Sequence, residues 1–417
     1  MDHFLYRRGV LHAEGVSLER IAERVGTPTY VYAEATLRRH WEVVSKAFAG
    51  RPTLLCYSVK ASSNLALLSR FARWGAGFDV VSGGELARVV RAGGEPRKTV
   101  FAGVGKTRAE LEQALRAGVL LINVESAEEL ELLDRVARRL GVRAPFAIRV
   151  NPDVDARTHR GISTGLRTSK FGVPLTEARA LYQRSRGMKG LLARGVDCHI
   201  GSQLTDTRPL YEAVHRVAGL YRQLVSEGHR LELLDVGGGL GIRYRQERPP
   251  KPEAWAAVLR DATRDISATL VVEPGRVLVG NAGVLLTRVL GRKRVPARRF
   301  VIVDAGMNDL MRPALYGAEH EVVSVRRRRG ASVRVDVVGP VCESADFLAH
   351  DRELVLAEGD LLAIGGAGAY GFVMSSNYNS RPRACEVLVD GKSLHLARRR
   401  ESIDDLFAHE NPLPRSA

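Results

Sequence analysis

Lys60 comes straight after an apolar, strand-like run, Thr53-Leu54-Leu55-Cys56-Tyr57-Ser58-Val59. An ammonium at the end of a buried strand is costly to desolvate unless something pairs with it. Two readings compete: Lys60 is the first solvated residue after the strand, or its amine attacks a carbonyl as a Schiff-base nucleophile. Further groups able to do chemistry recur at the ends of similar runs. Asp79 and Glu85 follow the second, and Arg149 and Asn151 the fifth. The sixth ends in Asp197-Cys198-His199-Ile200-Gly201-Ser202, the seventh in Gly237-Gly238-Gly239, and the eighth in Glu273-Pro274-Gly275-Arg276.

Singly, each group has an ordinary explanation: His199 a core histidine, Glu273 an ion-pair partner, the glycines a tight turn. The triple glycine fails the dinucleotide fingerprint, because Ile242 stands where the third glycine belongs. Gly103-Val104-Gly105-Lys106-Thr107 resembles the end of a nucleotide phosphate loop, but Val100 replaces the required first glycine, leaving a strand-to-helix turn. Taken together the groups fit one cofactor, pyridoxal phosphate. A lysine can form an imine with its aldehyde and a histidine can stack on its ring. Glycine N–H groups and an arginine can hold its phosphate, and a carboxylate can keep its pyridine nitrogen protonated. No metal is expected, since the histidines do not fall at ligand spacing.

The elements that must position these groups read as strand-helix repeats. Eight apolar runs between residues 50 and 275 alternate with amphipathic stretches such as Arg108–Ala117 and Ala127–Leu140, each followed by glycine (Gly118, Gly141). This predicts an α/β fold, a (β/α)8 TIM-type barrel over residues 31–282, with a doubly wound sheet as the alternative. In a barrel the chemistry sits at the carboxyl ends of the strands. From residue 283 to 417 short β-branched runs between turns predict a mostly antiparallel β-domain: Gly283–Leu290, Arg299–Asp304, Glu321–Arg326, Ser332–Val338, Asp360–Ile364 and Ala384–Val389. Residues 1–30, with a helix near Leu18–Val25, are too few to fold alone and are expected to pack on the β-domain.

Composition narrows the class. The chain has 417 residues, 45% hydrophobic and 26% charged, and shows neither a membrane-length apolar run nor a secretory-signal layout. Its four scattered cysteines suit reduced thiols in a cytoplasm. The net charge of +16 raises nucleic-acid binding as a possibility. The clusters Arg326 to Arg329 and Arg398 to Arg400 lack interleaved aromatics and read as solvated faces, so no nucleic-acid partner is expected; the positive field suits anionic small molecules.

The motifs Tyr57-Ser58-Val59-Lys60-Ala61, Asn151-Pro152-Asp153-Val154-Asp155 with Ser169-Lys170-Phe171-Gly172, and Cys198-His199-Ile200-Gly201-Ser202-Gln203 are joined by the glycine triple and Glu273-Pro274-Gly275-Arg276. Cys342-Glu343-Ser344, Gly368-Ala369-Tyr370 and Ser376-Asn377-Tyr378-Asn379 complete the set. Nearly end to end, the chain resembles the fold-type III pyridoxal-phosphate enzymes of the alanine racemase and ornithine decarboxylase superfamily, and within them the diaminopimelate decarboxylase family. It departs from that family at the lysine, where Ser58 and Ser62 stand in place of an alanine and an asparagine.

The resemblance implies that Lys60 carries the cofactor, His199 stacks on its ring and Glu273 meets its nitrogen. Ser202, Gly237, Gly238, Gly239, Gly275, Arg276 and Tyr370 would hold the cofactor's phosphate end. Arg276, Arg312 and Tyr316 would take the substrate's distal carboxylate, and Glu343 with Ser344 its distal ammonium, beside Tyr370. Cys342 would return a proton to the α-carbon from the partner subunit of a homodimer with shared active sites. The implied reaction is decarboxylation of meso-2,6-diaminopimelate to L-lysine. The alternative is a related decarboxylase acting on arginine, carboxynorspermidine or a carrier-bound glutamyl group, differing around Arg312, Tyr316 and Glu343.

Overall fold

The eight apolar runs form strands β1 (Thr53–Ser58), β2 (Gly77–Val80), β3 (Thr99–Phe101), β4 (Leu121–Val124), β5 (Ala144–Asn151), β6 (Leu191–Asp197), β7 (Leu233–Asp235) and β8 (Thr269–Val272). The computed structural model describes residues 3–413 apart from 157, 159–163 and 166–168. Every neighbouring pair of these strands is parallel, β8 pairs β1 and β4 pairs β5, so the sheet closes into the expected barrel. Local chemistry fixes the strand-to-helix turns. Asn64, Ser82, Thr107 and Ser126 each cap the following helix with a side-chain oxygen, Thr107 in a reciprocal capping box with Glu110. Gly118 and Gly141 end Arg108–Ala117 and Ala127–Leu140 in the left-handed conformation.

The barrel interior changes character along its axis. Cys56, Val100, Leu121, Ala147, Leu233 and Val271 form a buried apolar layer. Two residues further along, and so on the same face of each strand, come Ser58, Asn123, Arg149, Asp235 and Glu273. Backbone register sets Asp79 opposite Ser58 and Asp197 opposite both Arg149 and Asp235. A dry layer thus supports a polar one at the carboxyl rim.

The second compact unit comprises the residues up to Arg38 and those from Gly280 onward; the barrel unit runs Arg39–Val279. Its sheet orders Phe347–Leu354, Val333–Val338, Arg298–Val303, Gly283–Val295, Thr29–Ala33, Cys385–Asp390 and Ser393–Arg398, with Leu361–Ile364 and Val322–Ser324 paired alongside. Most pairs are antiparallel; Arg298–Val303 with Val333–Val338 and Thr29–Ala33 with Cys385–Asp390 are parallel. The boundary read at residue 31 therefore falls inside a strand of this sheet, because Thr29–Ala33 is buried along its whole length against Gly283–Val295 and Cys385–Asp390. Leu11, Leu18 and Ile21 share a core with Leu286, Val325 and Val387. The charged edge strands Phe347–Leu354 and Ser393–Arg398 lie outside the runs anticipated from sequence.

The arginine clusters are not merely solvated. Arg326 pairs with Glu19, Arg328 with Asp360, Arg398 with Glu386 and Arg399 with Asp405, while Arg327 lies over the Tyr6 ring. Glu386 is buried; the other three pairs lie at the surface and each contribute about 0–1 kcal/mol, and together the four bind much of the local basic charge within the fold.

Candidate active site

Strand β1 ends at Ser58, and a single 3-10 turn, Val59–Ala61, carries Lys60. Lys60 Nζ lies 2.6 Å from Asp79 Oδ2, which also accepts from Ser58 Oγ at 2.6 Å. The carboxylate is fully buried at the end of β2, and the lysine side chain keeps about a third of its surface exposed (34%). Lys60 is therefore a paired ammonium with an accessible face rather than the first solvated residue of a loop. Nearby, Glu85 accepts the Val81 N–H at 2.8 Å. Burial pushes its carboxyl up to about 7, the Val81 N–H opposing and Asp79 adding to the rise.

The triple glycine is dictated by packing. A Cβ on Gly237 would lie 2.4 Å from His199 Nδ1, one on Gly238 2.0 Å from the Glu273 carbonyl oxygen, and one on Gly239 2.5 Å from the Gly201 carbonyl oxygen. Only bare backbone lets the loops after β6, β7 and β8 meet here. Gly237 N–H donates to Asp235 Oδ1 at 3.0 Å and Gly238 N–H to His199 Nδ1 at 3.1 Å. Two of the N–H groups expected to cradle a phosphate thus hold the loop and the histidine instead. With Nδ1 accepting, a neutral His199 carries its hydrogen on Nε2. Burial, with Arg149 and Lys60 adding, holds this ring well below the ordinary histidine range, hence neutral. Asp235 is anchored on its other oxygen by Asn123 Nδ2 at 3.1 Å.

Glu273 follows β8, its N–H donating to the Gly237 carbonyl at 2.8 Å. Burial first, then Asp235 and Asp79, push its carboxyl well above the ordinary range, against Lys60 and Arg149. Its Oε1 is buried with no hydrogen-bond partner among the described residues, a costly state that a protonated ring nitrogen would relieve. Arg276 donates to Ser202 Oγ from Nη2 at 2.9 Å and from Nε at 3.2 Å, and from Nη1 to Tyr244 Oη. Gly275 approaches β1 so closely that a Cβ would lie 3.0 Å from that of Ser58. Arg149 pairs with Glu125 at 2.8 Å and covers the Phe171 ring. An amine able to form an imine, a neutral flat ring, an acid with one oxygen unpartnered among the described residues and an arginine-hydroxyl pair beside glycine backbone fit pyridoxal phosphate.

Lys60, His199, Ser202, Gly237 to Gly239, Glu273, Gly275 and Arg276 all belong to the barrel unit. Arg312, Tyr316, Cys342, Glu343, Ser344 and Tyr370 belong to the other. There Arg312 opens a short helix, Arg312–Tyr316, and is buried with Nη1 2.8 Å from His320 Nε2, while Tyr316 is half-buried. Cys342, Glu343 and Ser344 are exposed on a loop shaped by Asp346, which accepts the Met307 N–H at 2.6 Å and the Val341 N–H at 2.7 Å. Cys342 N–H donates to Asn379 Oδ1 at 2.8 Å, and Tyr378 Oη donates to Glu343. Tyr370 is half-buried with φ at 55°.

Asp235, Tyr244 and His320 escaped the sequence reading. Asp235 had a usable signal, standing two residues before the glycines on the same strand end; a lone tyrosine and a lone histidine in loops had none. Lys106, from the phosphate-loop-like stretch, is a buried structural cation. It donates to Glu129 at 2.7 Å and to the carbonyls of Asn123 and Gly103 at 2.6 and 2.8 Å, leaving no role toward a nucleotide.

Residues 34–280 match the family described as pyridoxal-dependent decarboxylase, pyridoxal binding domain. The chain is 56% identical to diaminopimelate decarboxylase of Pseudomonas aeruginosa, over 99% of its own length and 100% of the relative's. It is 51% identical to that of Vibrio cholerae over the same shares. Among solved structures it is similar to diaminopimelate decarboxylase from Helicobacter pylori complexed with L-lysine, with a TM-score of 0.91 and 41% identity, covering 94% of this chain and 99% of that one. The enzyme from M. jannaschii in complex with L-lysine gives a TM-score of 0.94 at 37% identity, covering 99% and 98%.

Proposed function

We propose how this site works from the premise that the chain belongs to the pyridoxal-dependent decarboxylases and, within them, to the diaminopimelate decarboxylases. The protein is a carboxy-lyase that uses pyridoxal phosphate and converts diaminopimelate to lysine with release of carbon dioxide. When bound, the cofactor supplies an aldehyde that condenses with amines and a ring that accepts the electron pair left by the departing carboxylate.

The residue assignments are our reading. Lys60 binds the cofactor and gives way to the substrate amine; Asp79, on its Nζ, holds the proton that this exchange moves. His199, neutral and fixed by Gly238, covers one face of the ring. Glu273 meets the ring nitrogen, and its buried, unpartnered Oε1 is the observation that supports the assignment best. Ser202, Arg276, Gly239, Gly275 and Tyr370 receive the phosphate end. Arg276, Arg312 and Tyr316 take the distal carboxylate, and Glu343 with Ser344 the distal ammonium, a mixture of charges suited to a zwitterionic far end. An enzyme for ornithine or lysine would call for a carboxylate there and no arginine pair.

Assembly as a homodimer, with Cys342 and Glu343 serving the partner's site, agrees with the exposure of that loop. The free thiols Cys56, Cys198, Cys342 and Cys385 suit a reducing cytoplasm, and no helix among the described residues is long and apolar enough to cross a membrane.

The test is carbon dioxide release from diaminopimelate against a panel of basic and diacidic amino acids. Diaminopimelate should dominate, and Arg312→Ala should raise its KM on the order of a hundredfold while lowering kcat much less. An Arg312→Ala enzyme with unchanged KM would remove the distal-carboxylate assignment.

A further inference from the structure

Arg312 is anchored by a histidine whose tautomer follows from its two partners. Arg312 Nη1 lies 2.8 Å from His320 Nε2, and His320 Nδ1 lies 2.8 Å from the Gly365 carbonyl oxygen. A guanidinium only donates and a carbonyl only accepts. The imidazole is therefore neutral, with its hydrogen on Nδ1 and its Nε2 lone pair turned to Arg312. His320 is fully buried and Arg312 5% exposed, so loss of this bond is poorly replaced by water. The ring is held in turn by the sheet. Gly365 N–H donates to the Glu321 carbonyl at 2.8 Å, extending the ladder between Val322–Ser324 and Leu361–Ile364, and Arg352 Nη2 donates to the His320 carbonyl at 3.0 Å.

The chemistry of this partner matters. A carboxylate would hold a buried arginine at least as firmly, but would cancel its charge and compete with an incoming carboxylate. A neutral acceptor fixes the guanidinium without itself adding a negative charge against it. We propose that His320 is the positioning residue of Arg312 and thereby sets selectivity for ligands whose non-reacting end carries a carboxylate. This rests on the role given above to Arg312.

Calorimetric titration of the holoenzyme with L-lysine, which keeps the distal carboxylate, and with cadaverine, the same chain without it, tests the proposal without turnover. His320→Leu should lose about tenfold in lysine affinity and change cadaverine affinity less than about twofold. His320→Gln keeps a neutral acceptor and should recover most of the lysine affinity, and His320→Glu should lose it again. For diaminopimelate, KM should rise in the Leu and Glu variants with kcat largely held. A folded Leu variant that binds lysine like wild type, or loses both ligands equally, overturns the proposal. Should the Leu variant not fold, unchanged lysine affinity in the Glu variant overturns it instead. Wild-type enzyme that binds lysine and cadaverine alike would overturn the Arg312 reading and this inference together, a result visible before any variant is made.

Discussion

Asp79 Oδ2 stands 2.6 Å from Lys60 Nζ, joining the end of β2 to the turn after β1 across neighbouring barrel strands. Ser58 Oγ, 2.6 Å from the same oxygen, gives the carboxylate a second, independent anchor. The pair keeps an ammonium at the rim of a dry core and gives it a definite proton acceptor.

Removing that acceptor should slow cofactor loading and turnover together. Asp79→Asn keeps an oxygen for Ser58 but no charge for Lys60, and kcat should fall on the order of a hundredfold. Covalent attachment, trapped by borohydride and read by mass spectrometry, should become correspondingly slower. Lys60→Ala should show no trapped adduct and no turnover. An Asp79→Asn enzyme as fast as wild type would reduce this carboxylate to a structural group.

Gly238 and Gly219 make a matched test of why glycine is present. A Cβ at Gly238 meets the Glu273 carbonyl oxygen at 2.0 Å, whereas one at Gly219, inside the helix Arg208–Ser226, finds only the Arg222 side chain at 3.9 Å. Gly238→Ala should cost about 3 kcal/mol or more, since backbone must shift, and should weaken cofactor binding by displacing His199. Gly219→Ala should instead stabilise by roughly 0.5–1 kcal/mol. Urea midpoints of both variants, with cofactor fluorescence for the first, provide the comparison; a benign Gly238→Ala would mean the loop can yield.

The barrel and its strand ends were legible because continuously apolar runs, buried on both faces, and helical stretches closed by glycine are local signals. Lys60, His199 and Glu273 could be grouped once eight ends were counted in order. What stayed hidden was pairing. Nothing near Lys60 in sequence announces Asp79 as its partner, and nothing in the glycine triple tells that two of its N–H groups serve Asp235 and His199. Thr29–Ala33 was misplaced for the same reason: a short buried strand carries no mark of which sheet claims it. Phe347–Leu354 was missed because its alternating charges read as loop.

Asp309 in the antiparallel unit should make stability depend on pH in a direction opposite to an ordinary salt-bridged carboxylate. It is 1% exposed, accepts the Gly306 N–H at 3.0 Å with one oxygen, and has no partner for Oδ1 among the described residues. Burial pushes its carboxyl up to about 7, against the Gly306 N–H and Arg381. In the unfolded chain it titrates near 4. The folded state thus holds the extra proton between about pH 4 and 7, and stability falls as pH rises through that window, by up to roughly 4 kcal/mol. Asp309→Asn has no such loss, so its urea midpoint should gain on wild type between pH 4.5 and 8. Parallel pH curves for the two proteins would show that Asp309 ionises normally.

The proposal that two subunits share their sites makes a prediction that individual variants cannot. If Cys342 acts in the partner's site, a heterodimer of Lys60→Ala and Cys342→Ala subunits carries both defects in one site and none in the other. Random reassociation of equal amounts makes half the dimers mixed, so activity should recover to about a quarter of wild type from two parents of little activity. The Cys342 thiol is exposed on a loop held by Asp346. Recovery requires subunit exchange, which size-exclusion of differently tagged chains verifies in the same sample. Mixed dimers that form but remain as inactive as their parents would place Cys342 in its own subunit's site.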